Sequence, residues 1–221
     1  KINPGISKES QYSESGLTAS GLAETSFCLI RQIEPLRWKS LKGGLKRVMR
    51  RNPVKTKEDF ESPSWLFKLE MFFIKPLFTG PRLLRPFVSE LGLNGSERVL
   101  EFGCGNGVLL SYLAQALDRG GMAVGIDTSS YMVRHARERL RHFRNVNLMQ
   151  GDIRILELEP GEFDLVVFVH VLHDVEPECR LETLESLVRL LKPQGRMCFM
   201  EPVSASHGMP IEEIQSLLGS V

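Results

Sequence analysis

The chain has 221 residues, which suffices for one α/β domain with a full core and an extension but not for two large domains. Its 42% hydrophobic and 25% charged residues and net charge of +1 are ordinary for a soluble globular protein, and no apolar run approaches the roughly 20 residues that cross a bilayer. The cysteines are widely spaced without a CxxC pair, which argues against a zinc site or a disulfide framework: Cys28, Cys104, Cys179 and Cys198. With no secretory signal evident, we expect a reducing, cytoplasmic location.

Residues 1–60 are predicted to be a tail followed by a basic amphipathic segment. The first 24 residues are rich in Ser, Gly and Glu and show no apolar period. Ten Lys or Arg and a single acid, Glu34, lie between Arg31 and Lys57. This excess of positive charge is typical of a solvated helix face or a disordered arm. Alternatively, residues 35–57 contact an anionic membrane surface or nucleic acid.

Residues 61–95 are predicted to form a helical lid or cap. Apolar residues at helical spacing indicate one helix that starts at Ser62 and a second over residues 81–91. The first helix carries a concentrated aromatic set: Trp65, Phe67, Phe72, Phe73 and Phe78. These side chains either pack over a sheet as core or cover an apolar substrate.

Residues 96–221 alternate between strand and helix patterns after the turn at 92–96. The predicted strands are 98–102, 123–126, 146–150, 163–169 and 196–200, and the predicted helices are 107–117, 130–140, 181–191 and 210–218. Ser129 or Ser130 would cap the second helix, and residues 192–195 would form a turn. The alternation indicates right-handed βαβ units, and hence a Rossmann-like, doubly wound, mostly parallel sheet with an N-terminal helical extension.

A glycine-rich loop joins the first of these strands to the first helix, in the order Glu101-Phe-Gly103-Cys-Gly105-Asn-Gly107. The dinucleotide fingerprint needs a third glycine where Val108 stands, and a phosphate-binding P-loop needs a lysine that is absent. The Glu101 carboxylate would repel a phosphate but attract a cation. S-adenosylmethionine, which carries an ammonium, a sulfonium and no phosphate, fits this loop better than a dinucleotide does.

Two further acids follow neighbouring strands. Asp127 ends the second strand 20 residues past Gly107, close to the spacing of a ribose-binding acid. Gly151 and Asp152 follow the third strand. Because the carboxyl ends of parallel strands share one edge of the sheet, we expect these acids to converge on the glycine loop.

These motifs, in this order and continuing from Phe163 through His173, resemble those of the class I S-adenosylmethionine-dependent methyltransferases. The particular pattern is similar to the small-molecule, ubiquinone/menaquinone-biosynthesis-like branch. The resemblance covers residues 96–203, about half of the chain, and implies a methyltransferase domain over residues 96–221 with S-adenosylmethionine as cofactor. That fold would here lack its last two strands and leave the fifth strand as a bare edge, unless a partner or the N-terminal segment covered it.

The resemblance also implies which residues bind the cofactor. Glu101 would orient the methionine ammonium, Asp127 would accept the ribose hydroxyls and Asp152 would accept from the adenine amino group. The other implied contacts come from the loop, the adenosine side and the end of the fourth strand: Gly103, Cys104, Gly105, Asn106, Thr128, Met132, Ile153 and Phe168. Two alternatives remain, in which Asp152 only caps the following turn and Cys104 only packs.

A candidate base follows the fourth strand. His173-Asp174 is similar to the His-Asp pair of plant-type O-methyltransferases, in which the histidine is the base. His170 is a weaker candidate. For His170 and for His173 alike, the alternative is a packing role. His207 lies in a later loop. No cluster of His, Cys or Asp suits a metal ion.

The predicted function is therefore S-adenosylmethionine-dependent O- or C-methylation of a small, apolar or membrane-associated acceptor. One alternative is an RNA or protein methyltransferase that binds its substrate through the basic segment. The absence of an Asn-Pro-Pro-Tyr-like motif after the fourth strand argues against it. The other is a non-catalytic cofactor-binding module. The presence of both Glu101 and Asp127 argues against it. Nothing in the sequence predicts the oligomeric state.

Overall fold

The structure is a computed structural model, and it describes residues 26–32, 80–118, 120–203 and 208–221. Six strands form one sheet in the order β1-β6-β5-β2-β3-β4. The strands are β1 (Ser26–Gln32), β2 (Arg98–Phe102), β3 (Met122–Asp127), β4 (Val146–Gln150), β5 (Phe163–Val169) and β6 (Leu191–Pro202). β2 to β6 are parallel and β1 is antiparallel to β6, which confirms the predicted doubly wound, mostly parallel sheet.

Helices cover both faces of the sheet in the described parts of the chain. They are α1 (Arg85–Glu90), which continues a π-helical turn (Gly80–Leu84), α2 (Val108–Ala116), α3 (Ser130–Leu140), α4 (Pro177–Leu190) and α5 (Ile211–Ser220). One hydrophobic cluster lies beneath α4 and α5 and the other beneath α1, α2 and α3. Because successive strand residues point to opposite faces, Val99 joins one cluster and Leu100 the other.

Most element boundaries follow the predicted ones. Ser129 caps α3 by accepting from the Met132 amide at 3.2 Å, as one of the two predicted caps. α4 begins at Pro177, one turn earlier than predicted, because a proline suits the first helical turn. The predicted turn at residues 192–195 is a bulge within β6. Phe163 of β5 pairs with Leu191, whereas Leu165, two residues later, pairs with Arg196.

The edge of the fifth predicted strand is not bare, because the N-terminal segment covers it, as in one of the two alternatives expected from the sequence. β1 pairs along the outer side of β6, from Ser26 opposite Pro202 to Gln32 opposite Arg196. No strand was predicted over residues 26–32. Pairing supplies partners for the edge amides and carbonyls of β6, which would otherwise form a template for aggregation.

The order of the strands places a crevice between β2 and β5. From β2 the chain moves to β3 and β4 on one side, and then returns to β5 and β6 on the other. In open parallel sheets this switch point, at the carboxyl ends of the strands, is where ligands bind. Here it lies between the glycine loop after β2 and the histidine segment after β5.

The predicted tail, basic segment, aromatic set and His207 lie outside the described residues. Among the residues that the structure describes, no helix is long and apolar enough to span a membrane.

Candidate cofactor and acceptor site

The glycine loop is fastened to the end of β3 by backbone hydrogen bonds. The amides of Gly103 and Cys104 both donate to the Ile126 carbonyl, at 2.8 and 3.0 Å. The Gly105 amide donates to Oδ2 of Asp127 at 2.8 Å. Loop and strand end therefore form one preorganised unit.

The three glycines of the loop have left-handed backbone angles but different surroundings. A Cβ on Gly103 would stand 2.5 Å from Cγ1 of Val171, and one on Gly107 would stand 2.8 Å from Cδ1 of Leu140. A Cβ on Gly105, whose φ is +50°, would meet no atom within 4 Å. Gly103 and Gly107 thus allow close packing within the protein, whereas Gly105 leaves open space where a ligand can approach the backbone.

Glu101 is a buried acid at the head of this loop, with 4% of its surface exposed. Burial, and next the nearby charge of Asp127, raise the pKa of Glu101 well above its ordinary value. Its Oε2 atom is buried without a hydrogen-bond partner among the described residues. A buried carboxyl oxygen that lacks a donor is costly unless a ligand supplies one, and a cationic donor would serve best.

Asp127 ends the neighbouring strand, two residues past Gly125, which is the partner of Glu101, and is only partly buried. Its Oδ2 accepts from Gly105 and its Oδ1 accepts from the Ser129 amide at 2.9 Å. Its hydrogen bond with Gly105 places Asp127 against the glycine loop, as predicted, whereas the convergence of Asp152 on the loop stays a prediction.

Asp152 follows β4 at the same edge, but Arg154 occupies its carboxylate. Nη2 of Arg154 lies 2.7 Å from Oδ2, and Nε lies 3.1 Å from Oδ1 and 3.2 Å from Oδ2. The Arg154 amide also donates to Oδ1 at 3.0 Å, which is the turn-capping contact considered from the sequence. Arg154 was not singled out in the sequence, and the contact of Asp152 with adenine stays a prediction.

The other predicted cofactor residues divide into core and surface positions. Met132, Ile153 and Phe168 are buried, with the Phe168 ring stacked on Phe199 at 4.9 Å, whereas Thr128 is exposed. The structure brings these residues to the expected edge without testing their contacts with a cofactor.

The two remaining loop residues, Cys104 and Asn106, are buried. Burial, followed by the charges of Glu101 and Asp127, raises the pKa of the Cys104 thiol well above its ordinary value, so this side chain is poorly suited to be a nucleophile. The Asn106 carbonyl accepts from Nε of Arg139 at 2.9 Å, which ties the loop to α3.

His173, which follows β5, and Glu201, near the carboxyl end of β6, form a close pair. Nδ1 of His173 lies 2.7 Å from Oε2 of Glu201, whose side chain is fully buried. Oε1 of Glu201 accepts from the amides of Val171 and Leu172 at 2.8 and 2.7 Å. Nε2 of His173 lies 3.4 Å from Oδ1 of Asp174. Sequence reasoning missed Glu201, although an acid that ends an apolar strand was a usable signal.

His170 lies at the start of the same segment in a strained backbone conformation. Its φ is +57°, rare for a residue with a Cβ and common at functional sites. Its amide donates to the Met200 carbonyl at 2.8 Å, and its ring faces that of His173 edge-on with the centroids 6.4 Å apart.

Arg180, on α4, braces the turn that carries His173. Its Nη2 donates to the His173 carbonyl and its Nε to the Val175 carbonyl, both at 2.9 Å. Nη1 pairs with Glu213 of α5. Among the described residues no group of His, Cys, Asp and Glu could hold a metal ion.

Comparisons with known proteins agree with this geometry. Residues 99–195 match a family model described as a methyltransferase domain. An uncharacterized 37.1 kDa protein in transposon TN4556 of Streptomyces fradiae is 38% identical over 115 residues, which cover 52% of this chain and 33% of that protein. A demethylmenaquinone methyltransferase of Staphylococcus saprophyticus is 30% identical over 114 residues, which cover 52% of this chain and 48% of that enzyme. The chain thus spans half or less of the length of these relatives.

Among solved structures, an S-adenosylmethionine-dependent methyltransferase from Aquifex aeolicus matches 85% of this chain and 87% of its own, with a TM-score of 0.54 and 21% identity. At that identity the match establishes the fold alone. The matched domain and this fold agree with the resemblance expected from the motifs. Over residues 99–195 the chain is similar to a methyltransferase domain, and over about half of its length it is similar to a demethylmenaquinone methyltransferase.

Proposed function

We propose that the protein transfers a methyl group from S-adenosylmethionine to a small-molecule acceptor. The observation that carries this proposal is the buried Glu101 carboxyl, whose Oε2 has no donor among the described residues, beside a loop that is open at Gly105. A dinucleotide would bring phosphates towards Glu101 and Asp127, whereas S-adenosylmethionine brings an ammonium and a sulfonium. Its sulfonium would supply an electrophilic methyl group.

The protein's own contribution would be alignment and exclusion of water. Glu101 would hold the ammonium, the Gly105 backbone would admit the methionine end, and Asp127 would accept the ribose hydroxyls. Alignment of two reactants can contribute up to about 7–11 kcal/mol to the rate. The proposed methyl transfer therefore needs no metal ion and no covalent enzyme intermediate.

We further propose O- or C-methylation with His173 as the base. Imidazole is a stronger base than a carboxylate, so the proton shared with Glu201 belongs on Nδ1 and the lone pair of the ring on Nε2. Nε2 would take the acceptor's proton, and the carboxylates of Glu201 and Asp174 would stabilise the resulting imidazolium. His170 is the second candidate, since its ring faces His173.

We also propose that the acceptor is apolar or lipid-like, and that the cytoplasmic protein contacts a membrane peripherally through residues 35–57. The support is the excess of basic residues in that segment. Co-sedimentation with vesicles rich in anionic lipid should fall when the lysines and arginines of residues 35–57 are changed to glutamine. Unchanged co-sedimentation would remove this part of the proposal.

Isothermal titration and product analysis test the main proposal. S-adenosylmethionine should bind in a one-to-one ratio, and incubation with phenolic, quinol and enolic acceptors should release S-adenosylhomocysteine. Binding without turnover on any acceptor, including RNA and protein, would favour the non-catalytic cofactor-binding module. No detectable binding would overturn the proposed function.

A further inference from the structure

His170 lies in a backbone conformation that glycine adopts more readily. In the parts of the chain that the structure describes, it is the one residue other than glycine whose φ is positive, at +57°. A Cβ makes this left-handed conformation unfavourable, and glycine, which has none, avoids that penalty. Because strain of this kind is concentrated at binding and catalytic positions, it points to a role for the His170 side chain.

Hydrogen bonds on both sides of His170 impose this conformation. The His170 amide donates to the Met200 carbonyl at 2.8 Å. The next two amides, of Val171 and Leu172, donate to Oε1 of Glu201 at 2.8 and 2.7 Å. The donors in these bonds are backbone amides, so a glycine at position 170 would keep all of them. The turn therefore does not itself require an imidazole.

The segment that carries His170 packs against the glycine loop, across the crevice between β2 and β5. Cγ1 and Cγ2 of Val171 stand 2.5 and 2.6 Å from where a Cβ on Gly103 would lie. On either side of Val171 in the chain, the His170 and His173 rings lie with their centroids 6.4 Å apart and their planes at 78°. Two imidazoles are therefore carried by the segment that contacts the loop proposed to bind the methyl donor.

The spacing of the two rings suits an acceptor with two neighbouring oxygens. A hydrogen bond places an oxygen about 2.9 Å from an imidazole nitrogen. Rings whose centroids are 6.4 Å apart can therefore both reach oxygens on adjacent carbons. A neutral imidazole can donate to an oxo group through one nitrogen or accept from a hydroxyl through the other. This step rests on the proposed function, in which Nε2 of His173 takes the proton of one acceptor oxygen.

We propose that His170 binds a second acceptor oxygen, next to the one that loses its proton to His173. His170 then determines specificity and leaves the role of base to His173. The site selects acceptors such as catechols, in which two oxygens are on adjacent carbons, over those with a single phenolic oxygen. This contact accounts for the strained backbone, because a glycine at position 170 would relieve the strain but supply no hydrogen bond.

Titration of the full chain with two phenols tests this inference. The protein is first saturated with S-adenosylhomocysteine, and the dissociation constants of 4-nitrocatechol and 4-nitrophenol are then measured at a pH at which both are un-ionised. 4-Nitrocatechol should bind at least about three-fold more tightly, as one added hydrogen bond would provide. A smaller ratio, or no binding of either phenol, would overturn the inference and leave the proposed cofactor binding intact. If S-adenosylhomocysteine itself did not bind, the proposed function would fail and this inference with it.

The variant His170→Gly separates a binding role from a structural one. Its affinity for 4-nitrocatechol should fall until the two dissociation constants agree within about two-fold, since one hydrogen bond is lost. Its urea midpoint should equal or exceed that of the wild type, because glycine relieves the strain at a φ of +57°. An unchanged ratio would overturn the inference. A clearly lower midpoint or a failure to fold would do so as well, by showing that the side chain serves the fold.

His142→Gly is the matched control for the loss of an imidazole. His142 is an exposed residue that follows α3, and its substitution should leave the ratio of the two dissociation constants at the wild-type value. An equal fall of the ratio in this control would show that the effect does not depend on position 170, and would contradict the assignment to His170.

Discussion

Glu201 holds the His173 ring with one carboxylate oxygen and the backbone of the same segment with the other. Oε2 lies 2.7 Å from Nδ1 of His173, and Oε1 accepts from the amides of Val171 and Leu172. A single buried acid thus shapes the segment after β5 and would hold the ring proton of its histidine on Nδ1. These two roles can be separated experimentally.

Glu201→Gln should keep the segment folded and reverse the tautomer. The amide oxygen of glutamine can replace Oε1, but its NH₂ group would face Nδ1 and donate to it, which moves the ring proton to Nε2. If His173 is the base, kcat should fall by about 10²-fold or more, with the affinity for S-adenosylmethionine unchanged.

Nitrogen NMR of the histidine rings checks the tautomer directly, with no dependence on turnover. Glu162→Gln, at the opposite end of β5, is the control and should leave both kcat and the His173 signals unchanged. Wild-type kcat in Glu201→Gln together with a reversed tautomer would show that His173 is not the base.

Glu101 should make folding stability depend on pH. Its pKa in the folded protein is raised above the ordinary value of 4.5, so between the two values the folded chain retains a proton that the unfolded chain has lost. The free energy of unfolding should therefore decrease as pH rises through that window. Urea titrations at several pH values should show this slope, and Glu101→Gln should reduce it.

Cofactor binding should release protons from Glu101. A bound ammonium favours the ionised carboxylate, so affinity for S-adenosylmethionine should increase with pH while Glu101 is protonated in the free protein. Calorimetry in buffers of different ionisation enthalpy measures this release. Glu101→Gln should abolish it and weaken binding by about ten- to hundred-fold. Unchanged affinity in this variant would contradict the proposed role of Glu101.

The glycine loop offers a matched pair of substitutions. Gly105→Ala should cost about 1 kcal/mol of stability, from backbone strain alone, because its Cβ meets no neighbour. It should nevertheless weaken S-adenosylmethionine binding at least ten-fold by filling the open space. Gly103→Ala, which clashes with Val171, should cost about 3 kcal/mol. Denaturant midpoints and calorimetry separate the two effects, and unchanged binding by Gly105→Ala would contradict the open-loop interpretation.

Arg180 should contribute strongly to stability because it links the turn at His173 and Val175 to α5. Arg180→Met removes the donors to the carbonyls of His173 and Val175 and the ion pair with Glu213, at a cost of about 3 kcal/mol. Arg141→Met, which removes an exposed pair with Glu138, should change stability by less than about 0.5 kcal/mol. Equal effects in the urea titrations would contradict the proposed brace.

Local patterns in the sequence were sufficient to predict the parallel core. The apolar run Phe163–Val169 reads as a strand covered on both faces, and Ser129 before a helical period reads as a cap. The loop acids could be predicted because strand ends in such sheets share one edge. Each of these inferences needs only neighbouring residues and the general topology of the fold.

The features that were missed depend on contacts that local patterns do not specify. Glu201 approaches His173 from 28 positions away, and the edge partner of β6 comes from the far N-terminal side of the chain. Arg154 is only two residues from Asp152, yet the sequence does not reveal whether its long side chain turns back or points to solvent. Side-chain direction and strand pairing are decided by tertiary packing.

The antiparallel direction of β1 has a practical consequence for labelling. Ser26 pairs with Pro202 at the end of β6 next to Glu201, whereas Gln32 lies at the opposite rim of the sheet. A fluorophore or affinity handle fused directly ahead of Ser26 would be anchored on the rim where the methyl group is proposed to be transferred, and could obstruct it. Attachment after Val221, which follows α5, keeps the label off β1 and is the better choice for binding measurements.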